Sequence, residues 1–294
     1  MKLTFLIATR NRREALLRCL RSIERSVDGE RQIVVVDDAS EDGTAEAVRV
    51  ESPSAVLLRN DRRAGVGAAH ALGFEEATGE VVVCLDDDAY LVSDEPEARI
   101  RERFAAAPEL GALCFRVEAL DGSVRRREIP LRSKRLPDRD AELGYFLGGA
   151  VAYRAAALKD AGGFAAHIGY GSVELDLAFR LFARGWSTLF TPSVRVVHEA
   201  IPSPHNTTER EANYVRSHIE MAARYLPAPY APVHALLWCG ELFAEAAGKG
   251  HLGRTVAAAW GAMRRWPTLR AERGYRLSRT QAARLTRLSG RTWY

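Results

Sequence analysis

The sequence lacks the features that mark several common protein classes. Its four cysteines, Cys19, Cys84, Cys114 and Cys239, are scattered with no CxxC pair, which excludes a zinc ribbon and a disulfide framework and leaves buried thiols of a reduced compartment. No uncharged apolar run approaches the ~20 residues that a bilayer span requires. The opening MKLTFLIATRNRR has too short an apolar core for a signal peptide and runs straight into charge. The turn after this first apolar run reads ATRNRRE, not GxGxxG, which argues against hydride transfer, and no GxxxxGK[ST] phosphate loop occurs. Internal repeats and low-complexity tracts are missing. Acids are nearly missing from one region: between Arg254 and Arg287 the only one is Glu272. Together these absences predict a cytoplasmic protein with no nucleic-acid partner.

What is present suffices for a large core. The 294 residues are 47% hydrophobic, enough for one large domain or a domain with an appendage, and 42 basic against 38 acidic residues leave a mild formal charge of +4. The stretch EVVVCLDDDAY, Glu80 to Tyr90, organises the reading. Val81 to Leu85 has the composition of a strand buried on both faces, and Asp86, Asp87 and Asp88 emerge where it stops. Like charges this close repel by about 1 kcal/mol per pair at 4 Å in water, and by several times that in a lower dielectric. A divalent cation at a strand's carboxyl end relieves the repulsion, and a solvated acidic turn capping the next helix is the other reading.

Apolar runs at Leu3 to Ala8, Gln32 to Val36 and Ala55 to Leu58 predict three more strands, alternating with helical patterns near Ala15 to Ile23, Ala45 to Val50 and Ala68 to Ala77. This alternation predicts βαβ units and a mostly parallel sheet. Further on, the pattern predicts a helix over Pro96 to Ala107, a strand over Gly111 to Ala119 and a basic loop or edge hairpin over Ser123 to Asp140. A strand follows over Tyr145 to Tyr153, then helices over Arg154 to Asp160 and Ser172 to Arg184. Two short strands, Ser187 to Thr191 and Val194 to Val197, deliver His198 and Glu199. From Thr207 onward helices are expected, joined at Pro227, Pro229 and Pro232, at Gly248 to Gly253, and at Pro267.

The ordered series ATRNR, VVVDDASEDGT, RNDRRAGVGAAHALGFEEATGEVVVCLDDD, LGGAVAYR, AGGF with VELDLAFRLFARGW, and VRVVHE resembles the inverting family 2 glycosyltransferases over roughly residues 2 to 225. Its flavour is nearest bacterial rhamnosyl-, galactofuranosyl- and antibiotic-pathway transferases. The resemblance implies an α/β GT-A fold, a mostly parallel central sheet flanked by helices. Residues 1–225 would be the transferase domain, with 1–90 its nucleotide half and 91–225 its acceptor half, and 226–294 a C-terminal helical extension.

The resemblance also implies roles. Asp38 would accept from the nucleotide base with Thr9 in the same pocket, and Arg10 stands where relatives carry a stacking aromatic. Asp86 and Asp88 would hold Mn²⁺ or Mg²⁺ with His198 as third ligand, and Asp86 and Asp87 would also meet the donor. Gly148 and Gly149 would let donor and acceptor sugars pass close to backbone. Glu174 falls on the position of the general base, with Asp176 as alternative, because the first acid of the usual EDxDL run is here Val173. His70-Ala71 replaces the expected Arg-Asn, and Arg10, Arg62 and Arg63 are candidates for phosphate. The implied donor is a UDP, dTDP or GDP sugar and the acceptor a hydroxyl of a glycan, a lipid-linked glycan or a natural product. A nucleotidyltransferase and a non-catalytic sugar-nucleotide or glycan-binding module are the competing readings. In the tail, Trp238, Leu242, Phe243, Trp260 and Met263 suggest packing or a homodimer, and Arg264, Arg265, Arg270 and Arg273 suggest peripheral contact with the inner membrane face.

Overall fold

Alternate residues of a strand point to opposite faces, and in the first strand, β1 (Leu3–Thr9), both faces are apolar. Leu3, Phe5 and Ile7 join one buried cluster and Leu6 the other. Burial of each such side chain contributes ~1.5–3 kcal/mol, so the strand is held from two sides. The computed structural model describes residues 1–131, 133, 135–168, 172–201, 207–272 and 274–288. Arg273 lies outside the described residues.

β2 (Arg31–Asp37), β3 (Val56–Arg59) and β4 (Val81–Asp86) repeat this pattern and pair in parallel with β1 at the centre. β5 (Ala89–Leu91), β6 (Leu110–Glu118), β7 (Ala141–Glu142), β8 (Ala150–Arg154) and β9 (Ser187–His198) complete the sheet. Its order is β3-β2-β1-β4-β8-β6-β9-β5, with β7 also on β9. β8, β5 and β7 run antiparallel to their neighbours, so the sheet is parallel through its first four strands and mixed beyond them. Helices α1 (Arg13–Ser26), α2 (Thr44–Glu51) and α4 (Pro96–Ala106) cover one face. On the other lie α3 (Val66–Glu75), α5 (Ala155–Asp160) and α6 (Val173–Ala183).

Helices α7 (Thr207–Tyr225), α8 (Tyr230–Gly248), α9 (Leu252–Ala271) and α10 (Arg279–Arg287) share a third cluster. It closes on Leu175, Phe179 and Phe182, the side of α6 that faces away from the sheet. α6 is therefore buried on both sides. Asp176 fastens the seam. Only 1% exposed, it accepts from Arg180 Nε at 2.7 Å and from the Tyr225 hydroxyl of α7 at 2.5 Å.

Several expectations are corrected. The strand expected over Tyr145 to Tyr153 shortens to Ala150–Arg154, with Tyr145 to Gly149 outside regular structure. The two strands after Ser187 are one, since a register shift beside Thr191 absorbs Pro192 without losing β6. β5 was not expected, because three residues carry no period. The loop after Ser123 contains a short 3₁₀ turn, Arg126–Glu128. Pro267 does not join two helices. It sits on the exposed side of α9, which runs on to Ala271. Trp238 and Leu242 pack within the chain, whereas Trp260 and Met263, 68% and 49% exposed, do not pack within it. Cys19, Cys84 and Cys114 are buried thiols, and Cys239 is half-buried.

Removing Asp176 leaves Arg180 buried with only main-chain acceptors, Ala161 and Gly163. Asp176→Ala is expected to lower unfolding free energy by about 3–5 kcal/mol in urea titrations, the usual cost of stranding one member of a buried pair. A loss under about 1 kcal/mol, that of an exposed pair, would contradict this reading of the seam.

Candidate active site

The carboxyl ends of β1, β2 and β4 meet along one edge of the sheet, with Thr9 in register with Asp37 and Ala8 with Asp86. That edge is where open α/β sheets receive ligands. Three turns at it hold non-glycine residues in the left-handed region, Asn11 (φ 51°), Ala39 (φ 61°) and Ala200 (φ 57°). Each costs of order 1–3 kcal/mol and persists because its surroundings over-determine it.

The acidic triplet forms the tight turn from β4 to β5, and antiparallel pairing of β5 with β9 sets His198 opposite Ala89. The Glu199 amide donates to the Asp88 carbonyl at 3.0 Å and extends this ladder. One ligand atom each from Asp86, Asp88 and His198 therefore lies within 4.8 Å of the others. His198 Nε2 is 3.2 Å from Asp88 Oδ1 and 3.8 Å from Asp86 Oδ2. Two carboxylates and an imidazole suit a hard or borderline cation such as Mg²⁺ or Mn²⁺. Asp88 Oδ2 faces elsewhere, accepting from the Ile201 amide at 2.8 Å.

Electrostatics differ across the triplet. Asp86, set deep in the cleft yet with 42% of its side chain open to solvent, is pushed up to about 7 by partial dehydration and by Asp88, Asp87 and Glu174 nearby, against the pull of His198. Asp87 is raised, burial outweighing Arg12 and the Thr9 hydroxyl. Asp88 is lowered, because His198, Arg12 and the Ile201 amide overcome its burial. His198 rises to about 10: burial opposes its charge, but Asp88, Glu128 and Asp86 favour it more. Without a metal the imidazolium and Arg12 are the counter-charges of the aspartates.

Arg12 was not singled out in the sequence. Its Nη1 lies 2.9 Å from Asp87 Oδ1 and 3.2 Å from Asp88 Oδ2, and its Nη2 donates to the Ile201 carbonyl at 2.8 Å. Glu128, also missed, accepts at Oε1 from His198 Nδ1 across 3.0 Å. The only sequence signal for Arg12 is its place in the ATRNR run after β1. Glu128 carried none.

Gly148 and Gly149 meet protein carboxylates. A methyl group on Gly148 would collide with the Glu174 carboxylate, and one on Gly149 with that of Asp86. The Gly149 carbonyl accepts from the Asp86 amide at 3.1 Å. Glu174, in the first turn of α6, is thus brought beside the triplet, and burial raises its pKa. The structure does not bring Asp176 to this site, since its carboxylate is spent on Arg180 and Tyr225.

On the β2 side, Asp38 accepts from Asn60 Nδ2 at 2.8 Å and from the amides of Ala64 and Gly65 at 2.7 and 2.9 Å, tying down the loop before α3. The Thr9 hydroxyl donates to Asp87 Oδ2 at 2.8 Å. Arg10 Nη1 is buried without a hydrogen-bond partner. Arg62 and Arg63 are exposed. His70 is buried against Phe164, their rings 5.1 Å apart, and burial lowers it to about 4. Trp186 donates to Asp160 at 2.9 Å and packs beside α5.

This sheet order, with acids at the strand ends and a helical layer behind, is the GT-A fold of glycosyltransferases. The chain superimposes on a mannosyltransferase, PcManGT of Pyrobaculum calidifontis, in complex with GDP-Man and Mn²⁺, with a TM-score of 0.59 and 23% identity, covering 97% of this chain and 83% of that one. It also superimposes on S. aureus TarS 1-349, with a TM-score of 0.56 and 14% identity over 90% of this chain and 92% of that one. Residues 4–162 match the model of glycosyl transferase family 2, and the chain belongs to that family. It is 30% identical over 135 residues to the succinoglycan biosynthesis protein ExoO of Rhizobium meliloti (strain 1021), 46% of this chain and 39% of that protein. It is 33% identical over 113 residues to the poly-beta-1,6-N-acetyl-D-glucosamine synthase of Staphylococcus epidermidis, 38% of this chain and 27% of that protein. The chain thus spans less than half the length of these curated relatives.

A cation entering this trio displaces the proton of His198 and, below about pH 7, that of Asp86. Raising the pH removes these competitors, so affinity rises with pH. Calorimetric titration with Mg²⁺ is expected to give about tenfold tighter binding per pH unit above pH 7 and a steeper dependence below it. His198→Ala should bind more weakly and keep only the dependence owed to Asp86, whose pKa rises once the pull of His198 is gone. A pH-independent affinity would count against these ligands.

Proposed function

We propose that the chain is a metal-dependent inverting glycosyltransferase, moving a sugar from a nucleoside-diphosphate donor to an acceptor hydroxyl. The observation that carries this reading is the adjacency of Glu174 to the Asp86–Asp88–His198 cluster across the glycine pair. Family membership and the ligands named with the neighbouring structures, the sugar nucleotides GDP-Man and UDP-GlcNAc and the nucleotide UDP, support the substrate class.

Asp86, Asp88 and His198 would hold Mn²⁺ or Mg²⁺, which would supply charge neutralisation and Lewis acidity at the diphosphate. Asp38 and Thr9 serve the nucleoside side, and the partnerless Nη1 of Arg10 favours an anionic neighbour there. Asp87, braced by Thr9 and Arg12, holds the turn that aims its two neighbours. Glu174 takes the proton of the acceptor hydroxyl while that oxygen bonds to the anomeric carbon and the bond to diphosphate breaks on the opposite face. A carboxyl raised by burial is a stronger base for this transfer than a solvated one. Gly148 and Gly149 seat Glu174 and Asp86 and leave backbone facing the sugars.

Donor turnover with Mn²⁺, Mg²⁺ and EDTA tests the reading. Transfer should need the metal and fall at least 10²-fold in Glu174→Gln, with nucleoside-diphosphate affinity retained. Metal-independent binding without hydrolysis or transfer would instead indicate a sugar-nucleotide or glycan-binding module, and release of pyrophosphate from a nucleoside triphosphate a nucleotidyltransferase. A loss confined to an Asp176→Asn variant that remains folded would move the base by two residues.

In the same proposal residues 1–225 form the transferase domain, 1–90 its nucleotide half and 91–225 its acceptor half, and 226–294 the extension. The placement of α7 in the extension's core favours moving that boundary back to before Thr207. Among the described residues no helix is long and apolar enough to cross a membrane. α9 nevertheless bears no acid and exposes Leu252, Val256, Trp260 and Met263 beside Arg254 and Arg264. Arg265 and Arg270 are engaged by Glu220 and by main-chain carbonyls. An anionic lipid surface suits this face, on which exposed apolar side chains lie beside arginines with no acid in the helix. The chain should co-sediment with phosphatidylglycerol vesicles and not with phosphatidylcholine vesicles. Arg264→Glu should weaken binding by at least ~1 kcal/mol, the share of one basic residue. A dimer in light scattering that Trp260→Ser dissociates would reverse this assignment.

A further inference from the structure

The loop after β6 carries a short turn, and the residue just before it and the last residue in it both act on His198. The Arg125 guanidinium donates to the main-chain carbonyls of His198 and Glu199, at 3.0 and 3.4 Å. Three residues later the Glu128 carboxylate meets His198 Nδ1 at 3.0 Å, with Arg125 Nη1 3.7 Å away on the same oxygen. The turn between them is closed by the Glu128 amide on the Arg125 carbonyl at 2.8 Å. Ile129 and Leu131, buried in the second cluster, anchor its exit. The side chain of Glu128 is only 10% exposed, so its carboxylate is turned inside the protein.

An imidazole on a single bond at a strand end rotates between alternatives unless a second contact selects one. Here the main chain of His198 is gripped by Arg125 and its ring by Glu128. With Nδ1 turned to Glu128, Nε2 is the nitrogen left facing Asp86 and Asp88. Surrounding partners of this kind orient a metal-binding histidine and fix which nitrogen carries its proton.

We infer that Arg125 and Glu128 form a clamp that positions His198, with Glu128 holding the proton on Nδ1 so that Nε2 is presented to the cation. Both are positioning residues, and the assignment rests on the metal site of the proposed function. The clamp also means that the loop after β6 completes a site whose carboxylates come from the turn after β4.

Mg²⁺ and Mn²⁺ affinities measured calorimetrically without donor test the clamp in five variants. His198→Ala is the control for the site itself: if it binds metal like the parent, the metal reading fails and the clamp with it. If it binds weakly, Glu128→Ala is expected to lose roughly 10–100-fold in affinity. Glu128→Asp, whose carboxylate is withdrawn by one methylene, should also lose affinity, while Glu128→Gln, which keeps an acceptor at the same reach, recovers most of it. Arg125→Ala, with Glu128 still in place, should lose less than Glu128→Ala. Long-range ¹H–¹⁵N spectra of the Mg²⁺-loaded protein add a structural readout. The parent and Glu128→Gln should carry the His198 proton on Nδ1, and Glu128→Asp should lose that signature. Parent-like affinity and an unchanged Nδ1 proton in Glu128→Asp, beside a weakened His198→Ala, would overturn the clamp even if Glu128→Ala fails to fold.

Discussion

The site depends on a three-residue ladder. Ala89 to Leu91 pair antiparallel with Val196 to His198, and that pairing carries His198 across more than a hundred residues of chain to the aspartates. The ladder is short, but it is buried on the β5 side by Ala89 and Leu91 and continued by the Glu199 amide on Asp88. Its register is specified, because a slip by one residue would turn His198 to the other face of the sheet. The chain past His198 is held by Arg12 on Ile201 and by a two-bond contact of Arg18 with Glu199.

Charge explains why so many cations gather there. Asp86, Asp87 and Asp88 lie in one turn with Glu174 near by, an arrangement with a high self-repulsion in a partly dehydrated cleft. Arg12 spans Asp87 and Asp88, and His198 sits between Asp88 and Asp86. This division of labour leaves Asp86 the least compensated of the three, its pKa raised while that of Asp88 is lowered. The carboxylates facing the cleft are those a divalent cation would relieve. Asp87 is turned instead to Arg12 and Thr9, which donate to its two oxygens.

The helical layer meets this site through α6. One side of that helix packs on the sheet, the other on α7 to α10, and its first turn carries Glu174. Two acids two residues apart therefore have opposite fates. Glu174 points to the glycine pair and the triplet, while Asp176 points away into Arg180 and Tyr225. Helical geometry alone separates them by roughly 200° around the axis, since each residue advances about 100°.

The alternating apolar runs of β1, β2 and β4 and the helices between them were legible in the sequence, because a strand buried on both faces and an amphipathic helix each write a period into the chain. The acidic strand end was legible for the same reason, as was the order of motifs that marks the family. Tertiary structure alone decided what has no local signature. β5 is too short to show a period, and Glu128 lies in a loop with no pattern. Arg12 is one arginine among several, and Trp260 and Met263 share the spacing of core residues yet face outward. The different surroundings of Glu174 and Asp176 were of this kind too. Local pattern records which side of an element is apolar. Which partner meets that side depends on chain brought from far away, and at this site the partner was β9.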